Sequence, residues 1–328
     1  MSGKHTELAR LLAPIESSMA RMREVLSSQM TETSPAVRDM TDHVGRFQGK
    51  QLRAALVLLA GEATKNSTDE HPTVAAIVEM IHLATLVHDD ILDGAEVRRR
   101  VACVNQRWDN QTAVLLGDFL YARAFALSTV LSSRLCSRLL AETTRKICVG
   151  EIEQAASRYD FEMSEDRYEW IAGAKTANLY AAACELGARY PGGNDELGTL
   201  MHAFGWEVGL AFQIVDDCLD LTSTDDELGK SAGTDAEDGK ITLPVLYTYR
   251  RGDDRLRAKI RDVYTLPGLE DRAKALREEC SIGEGVAYAT QRAEGLVARA
   301  MARVRTLDEG PAREALERLG TFVLSRRF

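Results

Sequence analysis

Apolar residues recur at every third or fourth position through most of the chain, and alternating strand-like segments are nearly absent. This spacing is typical of helices, because it places the apolar side chains on one face. Many segments are apolar on more than one side, as expected where some helices are surrounded by others. The predicted helices cover residues 7–28, 50–62, 73–91, 113–131, 134–159, 166–190, 195–221, 243–250, 270–279 and 283–306.

Clusters of turn-forming residues at 64–69, 191–194 and 265–268 separate these segments. We find neither an internal repeat nor a low-complexity linker. The composition, with 45% hydrophobic residues and only 7 prolines among 328, suits helices and is ample for one large core. The pattern therefore predicts a single all-α domain over residues 1–328, whose central helices carry the functional site.

Charge and cysteine usage narrow the class of protein. The net charge of -9 argues against a general nucleic-acid binder, which needs a basic surface. The six cysteines are scattered and form no pair at zinc-binding spacing, which is typical of a reducing compartment. The first residues contain no apolar signal segment, and no stretch reaches the ~20 apolar residues of a membrane span. We expect a cytoplasmic protein with no transmembrane span and no nucleic-acid partner.

Two aspartate clusters stand out within apolar helical segments. Residues 89–93 and residues 216–220 both read Asp-Asp-x-x-Asp. The first and last carboxylates of each cluster are four residues apart, so a helix places them on one face with about 6 Å of rise between them. Carboxylates this close repel one another unless a cation lies between them. Carboxylate sites that leave coordination positions open suit Mg²⁺ shared with substrate phosphates, so the clusters indicate diphosphate chemistry.

Basic and polar residues accompany the clusters. His82 precedes Asp89 by seven residues, which places it on the same helical stripe as Asp89 and Asp93. Lys50 and Arg53 lie at the start of a predicted helix, where the helix dipole favours anions. Further candidates are Arg98, Arg99 and Arg100 after the first cluster, Lys175 and Thr176 midway, and Gln213 one turn before the second cluster. Surface ion pairs could explain one cluster with its arginines, but not a second equivalent cluster far downstream.

The segment 222–242 follows the second cluster and contains Asp, Glu, Gly and Lys with little that could be buried. In a compact domain such a loop is typically a lid or a binding loop. The alternative is a plain solvated connection.

Together these segments resemble the trans-isoprenyl diphosphate synthase, or polyprenyl synthetase, family. The resemblance spans residues 49–244 and depends on the order of its motifs. The matching motifs are Gly49-Lys50-x-x-Arg53, Ile81-His82-x-Ala84-Thr85-Leu86-Val87-His88-Asp89-Asp90, Arg98-Arg99, Ala113-Val114-Leu115-x-Gly117-Asp118, Lys175-Thr176-Ala177, Phe212-Gln213-Ile214-Val215-Asp216-Asp217-x-x-Asp220, Gly229-Lys230-x-x-Gly233-Thr234-Asp235 and Gly239-Lys240-x-Thr242-Leu243-Pro244.

The resemblance implies a bundle of antiparallel helices around a deep central cavity, usually as a homodimer. It implies that Asp89, Asp93 and Asp216 hold three Mg²⁺ ions on the diphosphate of an allylic substrate, with Asp90, Asp217 and Asp220 completing or orienting that shell. Two further sets of residues are implied to bind diphosphate. Arg98, Lys175, Thr176, Gln213, Lys230 and Lys240 would serve the allylic substrate, and Lys50, Arg53, His82 and Arg99 would serve isopentenyl diphosphate.

The implied reaction is prenyl transfer. Ionisation of the allylic carbon–oxygen bond releases diphosphate, which metal and cationic side chains stabilise. The double bond of isopentenyl diphosphate attacks the allylic cation, and a proton is lost to the departed diphosphate. A dry cavity is required because water would quench the cation.

The sequence departs from the family pattern without removing a proposed ligand. Gln51 lies where the family usually has Arg, and Ala54 where it usually has Pro. Arg100 replaces a common Gly, and Gly94 a common acidic residue. Because Gln51 removes one positive charge, we expect altered binding of isopentenyl diphosphate.

Product length depends on the channel below the first cluster. Early-terminating members of the family usually carry an aromatic plug at the positions that Ala84 and Thr85 occupy here. The small side chains predict a deeper channel and a product longer than geranylgeranyl diphosphate, with the floor set by Ile81, Val78 or Phe125 unless these are ordinary core residues. His88 is interpreted as a packed, hydrogen-bonded residue beside the cluster.

Four other interpretations remain. A farnesyl or geranylgeranyl diphosphate synthase would share the whole site. A class I terpene cyclase shares the fold and the first motif, but usually carries a different second motif. A subunit that depends on a partner tends to lose one cluster, and this chain keeps both. A calcium-binding module is disfavoured because Gly239 is wrongly placed for an EF-hand loop. The closing pair Arg326 and Arg327 either covers bound diphosphate or is a solvated tail.

Overall fold

The computed structural model describes residues 10–31, 34–47, 49–98, 101–223, 233–269 and 271–325. Nearly all of its regular structure is helical. The α-helices are α1 Glu16–Met30, α2 Pro35–Val44, α3 Leu52–Ala63, α4 His71–Leu92, α5 Val104–Arg107, α6 Asn110–Thr129, α7 Leu135–Ala156, α8 Glu165–Ala172, α9 Asn178–Arg189, α10 Asp195–Thr222, α11 Thr234–Glu237, α12 Leu243–Arg251, α13 Asp254–Thr265, α14 Arg272–Glu279, α15 Gly283–Val304 and α16 Pro311–Leu324.

Short elements supplement the helices. A π-helical turn, Gly173–Ala177, joins α8 to α9, and 3₁₀ turns occur at Ala13–Ile15 and Gly45–Phe47. Two strands, β1 Val97–Arg98 and β2 Val101–Ala102, form a small antiparallel hairpin. The prediction of a single all-α domain is confirmed.

Local chemistry explains where several helices begin. Four of the seven prolines, Pro35, Pro72, Pro244 and Pro311, lie in the first turn of an α-helix, where a missing N–H removes no hydrogen bond. The side chain of Asn194 caps α10 by accepting hydrogen bonds from the N–H groups of Glu196 (2.7 Å) and Leu197 (3.3 Å).

The two helices that carry the aspartate clusters, α4 and α10, lie at the centre of the fold. Helix α10 packs against α9 and α15, while α4 packs against α1, α3 and α6. Both are buried on several faces, as the apolar pattern predicted. Since α9 also packs against α3, the two central helices are linked through one continuous core.

Three helices of eight residues or more, α2, α13 and α16, lie outside the predicted segments. In α13 only Ile260, Val263 and Tyr264 are buried, among many charged residues. Such a narrow apolar stripe is a weak signal in a sequence. Within the described ranges, no helix combines the length and apolar composition needed to cross a membrane.

His71 joins the start of α4 to the end of α9. Its ring is fully buried, its Nε2 lies 2.9 Å from the carbonyl oxygen of Gly187, and its Nδ1 accepts a 2.9 Å hydrogen bond from the N–H of Thr68. This arrangement requires a neutral ring that donates from Nε2. Burial lowers the pKa of His71 below its ordinary value of 6.5, although the Gly187 carbonyl opposes that shift.

We expect His71 to make the folded protein less stable at mildly acidic pH. The unfolded chain binds a proton at His71 as the pH falls through 6.5, whereas the folded chain resists it. The free energy of unfolding should therefore decrease below that pH, by up to about 1.4 kcal/mol per pH unit. His71→Gln should be less stable at neutral pH but decline less steeply on acidification, as urea denaturation would show. His202 is unchanged in both proteins, so equal slopes would exclude His71 as the source.

Candidate active site

One cavity of about 610 Å³ lies between α4, α7, the π-helical turn, α10 and the segment 234–242. Both aspartate clusters contribute side chains to it. The candidate site residues predicted from the sequence that line the cavity are Lys50, Arg53, His82, Thr85, Asp89, Asp93, Arg98, Lys175, Thr176, Gln213, Asp216, Asp217 and Lys240. Gln51, a departure from the family pattern, lines it as well.

The three carboxylates of the first cluster point in two directions. Asp89 and Asp93 line the cavity, whereas Asp90 is buried with 1% of its surface exposed. Asp90 accepts a 2.7 Å hydrogen bond from Nε of Arg98, and its Oδ1 lies 2.6 Å from Nη2 of the same residue. Two guanidinium nitrogens directed at one charged oxygen hold the guanidinium in one orientation. Asp90 therefore holds Arg98 at the wall of the cavity.

Asp89 lies in a strongly acidic environment. Its side chain is half-buried, and burial, followed by the negative charge of Glu151, raises its pKa to about 7. The cations of Lys175 and Arg98 oppose this shift without cancelling it. The first cluster therefore carries excess negative potential that a bound cation would relieve.

Lys240 balances part of this charge. Its Nζ lies 2.9 Å from Asp93, 3.0 Å from Asp238 and 3.6 Å from Asp235, and only 9% of its side chain is exposed. Burial opposes the charged form, but the three carboxylates raise the pKa of Lys240 overall. Burial alone would raise the pKa of Asp93, yet Lys240 lowers it.

Two carboxylates of the second cluster, those of Asp216 and Asp217, line the cavity. Asp217 is buried in its wall, where it accepts hydrogen bonds from Tyr168 and, at 2.7 Å, from Nε2 of Gln213. Gln213 in turn accepts a 2.6 Å hydrogen bond from the hydroxyl of Thr176. Burial, then the charge of Asp235, raises the pKa of Asp217. These two hydrogen bonds, from Thr176 to Gln213 and from Gln213 to Asp217, fix the orientation of the Gln213 amide.

Asp220 does not line the cavity, although it follows Asp216 by one helical turn. It is buried and accepts hydrogen bonds from the N–H of Asp235 (3.1 Å) and the hydroxyl of Thr234 (3.3 Å). The sequence predicts that the first and last carboxylates of each cluster lie on one face. Asp89 and Asp93 both line the cavity, whereas of Asp216 and Asp220 only Asp216 does. Asp220 anchors α11, which presents Asp235 to the cavity.

The π-helical turn positions Lys175 and Thr176. Nζ of Lys175 pairs with Glu151 at 2.9 Å and donates a hydrogen bond to Gln154. Glycines on both sides make room for the wider turn. A Cβ at Gly150 would lie 2.7 Å from Cβ of Ala174, and one at Gly209 would lie 2.7 Å from Cα of Ala177. Neither position could hold a larger residue without moving the turn.

Cationic groups gather at another part of the cavity. Nη1 of Arg53 lies 2.9 Å from Nε2 of His82, and its guanidinium lies over the Tyr180 ring, 4.6 Å from the centroid. Nζ of Lys50 lies 4.3 Å from the centroid of Phe322, which α16 supplies. These contacts hold two positive charges at the cavity wall.

The residues predicted to set product length separate in the structure. Thr85 lines the cavity, whereas Ala84, Ile81 and Val78 are fully buried in the core. Phe125 is half-buried on α6 and stacks on Tyr121 at a centroid distance of 6.4 Å.

His88 points toward α6. Its Nε2 lies 3.2 Å from the carbonyl oxygen of Val114, and its ring packs near Tyr121. This environment agrees with the interpretation of His88 as a packed, hydrogen-bonded residue.

Some predicted site residues lie outside the described residues, namely Arg99, Arg100, Lys230, Arg326 and Arg327, together with residues 224–232 of the predicted loop. Sequence reasoning also missed cavity residues. Glu151 and Gln154 are three apart on α7, a spacing that could have placed them on one face. Asp235 is the last residue of a motif that matches the family, but no role in the site was predicted for it from the sequence. No local signal distinguishes Tyr168.

The family model for the polyprenyl synthetases matches residues 34–280. The chain belongs to the polyprenyl synthetase family. It is 33% identical over 294 residues to heptaprenyl diphosphate synthase component 2 of Bacillus subtilis, covering 90% of this chain and 84% of that protein. It is 34% identical over 317 residues to a geranyl-diphosphate-specific all-trans-nonaprenyl-diphosphate synthase of Rhodobacter capsulatus, covering 96% and 97% of the two chains.

A solved structure shows the same fold throughout. The polyprenyl synthase from Caulobacter crescentus CB15, complexed with calcium and isoprenyl diphosphate, superposes with a TM-score of 0.93 at 33% identity. The match covers 98% of each chain. The cavity of this polyprenyl synthetase therefore lies in a scaffold that another member of the family uses to bind a divalent cation and an isoprenyl diphosphate.

Lys240→Gln should destabilise this polyprenyl synthetase by about 3 kcal/mol at neutral pH, because it leaves partly buried carboxylates without their cation. In the native chain the lowered pKa of Asp93 stabilises the fold above the ordinary carboxyl pKa of 3.8, and that contribution is lost on stronger acidification. The variant's deficit should shrink as the pH falls toward about 4, because the unpaired carboxylates then bind protons.

Urea denaturation of both proteins measures this deficit. Lys259→Gln is the matched control, because it breaks an exposed pair with Glu279 (3.2 Å) and should cost less than about 1 kcal/mol. An equal loss of unfolding free energy in the two variants would mean that Lys240 does not balance the charge of Asp93, Asp235 and Asp238.

Proposed function

We propose that this chain is a trans-polyprenyl diphosphate synthase that joins isopentenyl diphosphate to an allylic diphosphate. The observation that carries the proposal is the placement of aspartates from both clusters in one cavity that also holds Arg53 and Lys50. Family membership supports the same reaction class. The hepta- and nonaprenyl synthases among the relatives support a product longer than geranylgeranyl diphosphate.

Mg²⁺ suits the donors of this cavity. Asp89, Asp93 and Asp216 offer hard carboxylate oxygens, and the raised pKa of Asp89 reflects negative charge that burial leaves uncompensated. Among the described residues, no three acidic, His or Cys side chains are grouped to hold a metal by themselves. This fits a cation bound through one or two carboxylates and substrate phosphates. We propose three Mg²⁺ ions with substrate bound, which would supply positive charge to the leaving diphosphate.

The side chains divide into two diphosphate-binding sets. In our proposal the allylic diphosphate contacts Arg98, Lys175, Thr176, Gln213 and Lys240, together with Lys230. The diphosphate of isopentenyl diphosphate contacts Lys50, Arg53 and His82, together with Arg99. Asp90, Asp217 and Asp220 act through the neighbours that they orient, which their burial and hydrogen bonds support.

The reaction needs little from the protein beyond position and charge. Breaking the allylic carbon–oxygen bond leaves the electron pair on the diphosphate, where Lys175 and Arg98 stabilise it. The double bond of isopentenyl diphosphate then forms the new carbon–carbon bond, and the departed diphosphate takes the proton. Apolar wall residues such as Leu83, Leu86 and Ile147 keep water from the cation.

We further propose a homodimer that acts in the cytoplasm. Large apolar side chains are exposed on three neighbouring helices, at Leu92 of α4, Val114 and Leu115 of α6 and Ile152 of α7. Exposed apolar surface of this kind is typical of protein interfaces. A second candidate is a catalytic subunit that requires a different partner, because one relative is named a component of its synthase.

Purified protein with isopentenyl diphosphate, an allylic primer and Mg²⁺ should give products longer than geranylgeranyl diphosphate, sized by mass spectrometry. Asp89→Asn should lower kcat by at least about 10²-fold, since it removes charge from the proposed metal site. Asp262→Asn is the control, because Asp262 is exposed on α13.

Light scattering on the same preparation gives the oligomeric state. A folded dimer without product would contradict an autonomous synthase and favour the partner-dependent candidate. A cyclised hydrocarbon would point to a terpene cyclase.

Thr85→Phe should shorten the product, because Thr85 faces the cavity and an aromatic side chain there would obstruct the growing chain. Ala84→Phe should act in the same direction, although Ala84 lies behind the lining. Ala141→Phe is the control, since Ala141 is exposed on α7. An unchanged product distribution from an active Thr85→Phe enzyme would refute the proposed channel.

A further inference from the structure

Gln51 lies between the two cations of the proposed isopentenyl diphosphate site. It immediately follows Lys50, precedes Arg53 by two residues and lines the same cavity. Only 6% of its surface is exposed. Its backbone adopts the left-handed conformation (φ 50°) directly before α3, a conformation that is unfavourable for a residue other than glycine. Such strain is characteristic of positions held by their surroundings.

Arg23 determines which way the Gln51 amide faces. Its Nε donates a 2.9 Å hydrogen bond to Oε1 of Gln51, from helix α1. A guanidinium has only donors, so the amide oxygen must face Arg23 and the amide nitrogen must face the other way. This contact fixes the orientation of the amide, because a rotation by 180° would place the amide NH₂ against the Nε–H of Arg23, and both groups are donors.

The amide nitrogen of Gln51 is buried at the cavity wall, and no described residue accepts a hydrogen bond from it. A buried N–H group without an acceptor is unfavourable. Lys50 and Arg53 are close in sequence and line the same cavity, so their positive charges favour a bound anion there. The oxygen atoms of such an anion could accept a hydrogen bond from the Gln51 amide. The missing partner of Gln51 is therefore expected in the ligand.

We propose that Gln51 donates a hydrogen bond from Nε2 to the diphosphate of isopentenyl diphosphate, and that Arg23 is the positioning residue that orients it. This inference rests on the proposed function and assigns two further residues to the same site. It also accounts for a neutral side chain between two cations: the amide supplies direction, and its neighbours supply charge. Arg23 acts through the amide oxygen and is not itself placed among the cavity-lining residues.

Three variants test the arrangement by steady-state kinetics. Gln51→Leu should raise the KM for isopentenyl diphosphate by about tenfold, as for loss of one hydrogen bond to a charged group. Arg23→Ala should raise it by about threefold, because the amide can then turn its oxygen inward. The double variant should match Gln51→Leu, since a positioning residue has no effect without the residue that it positions. The KM for the allylic primer should stay unchanged in all three.

Arg23→Lys should restore most of the affinity, because an ammonium can also donate to the amide oxygen. Arg21→Ala is the matched control on the same helix, since Arg21 pairs with Asp69 and not with Gln51. Thermal unfolding of each variant shows whether the fold is intact, and Arg23 is exposed, so its removal leaves the core unchanged.

Calorimetric binding of isopentenyl diphosphate separates this inference from the proposed function. A wild-type protein that binds it without forming product would refute the synthase, while the Kd of each variant still tests Gln51. A wild-type synthase whose Arg23→Ala and Gln51→Leu variants keep the native KM and Kd would overturn the inference. Equal losses for both substrates, or additive losses in the double variant, would overturn it as well.

Discussion

Repulsion between carboxylates around one cavity is the interaction on which the rest of this structure depends. Asp89, Asp93 and Asp216 face the same space, and Glu151 and Asp235 add to their charge. Burial strengthens this repulsion, because the surroundings screen charge less than water does. The fold offsets it with fixed cations, chiefly Lys240 and Lys175. The remaining negative potential makes the cavity receptive to divalent ions.

A second set of carboxylates shows what the fold requires to hold such a site. Asp90, Asp217 and Asp220 are buried, and each has a carboxylate oxygen that accepts a hydrogen bond from a guanidinium, an amide or a backbone N–H. Each one restrains a neighbour that faces the cavity. In the proposed site three aspartates would hold the metal while three others restrain neighbouring side chains, which is the division that preorganised electrostatic sites need.

The sequence predicted the helices of the site because their apolar residues recur with helical spacing over long segments. It also predicted that His82, Asp89 and Asp93 would share a stripe, which follows from helix geometry alone. It could not predict that Asp220 would turn away from Asp216, because that depends on hydrogen bonds from Asp235 and Thr234, distant in sequence. The same holds for Arg23, whose partner Gln51 lies directly before another helix.

The π-helical turn at Gly173–Ala177 has a consequence for how this helix can evolve. The N–H of Asn178 bonds to the carbonyl of Gly173, so the turn contains one residue more than an α-helical turn. That extra residue rotates the side chains of α9 about the helix axis relative to those of α8. The turn therefore directs Lys175 and Thr176 into the cavity while α9 packs against α3 and α10. Since Gly209 of α10 lies against Ala177 of this turn, a larger residue there would shift the core packing and the two cavity residues together. Evolution of the site is thereby tied to evolution of the core.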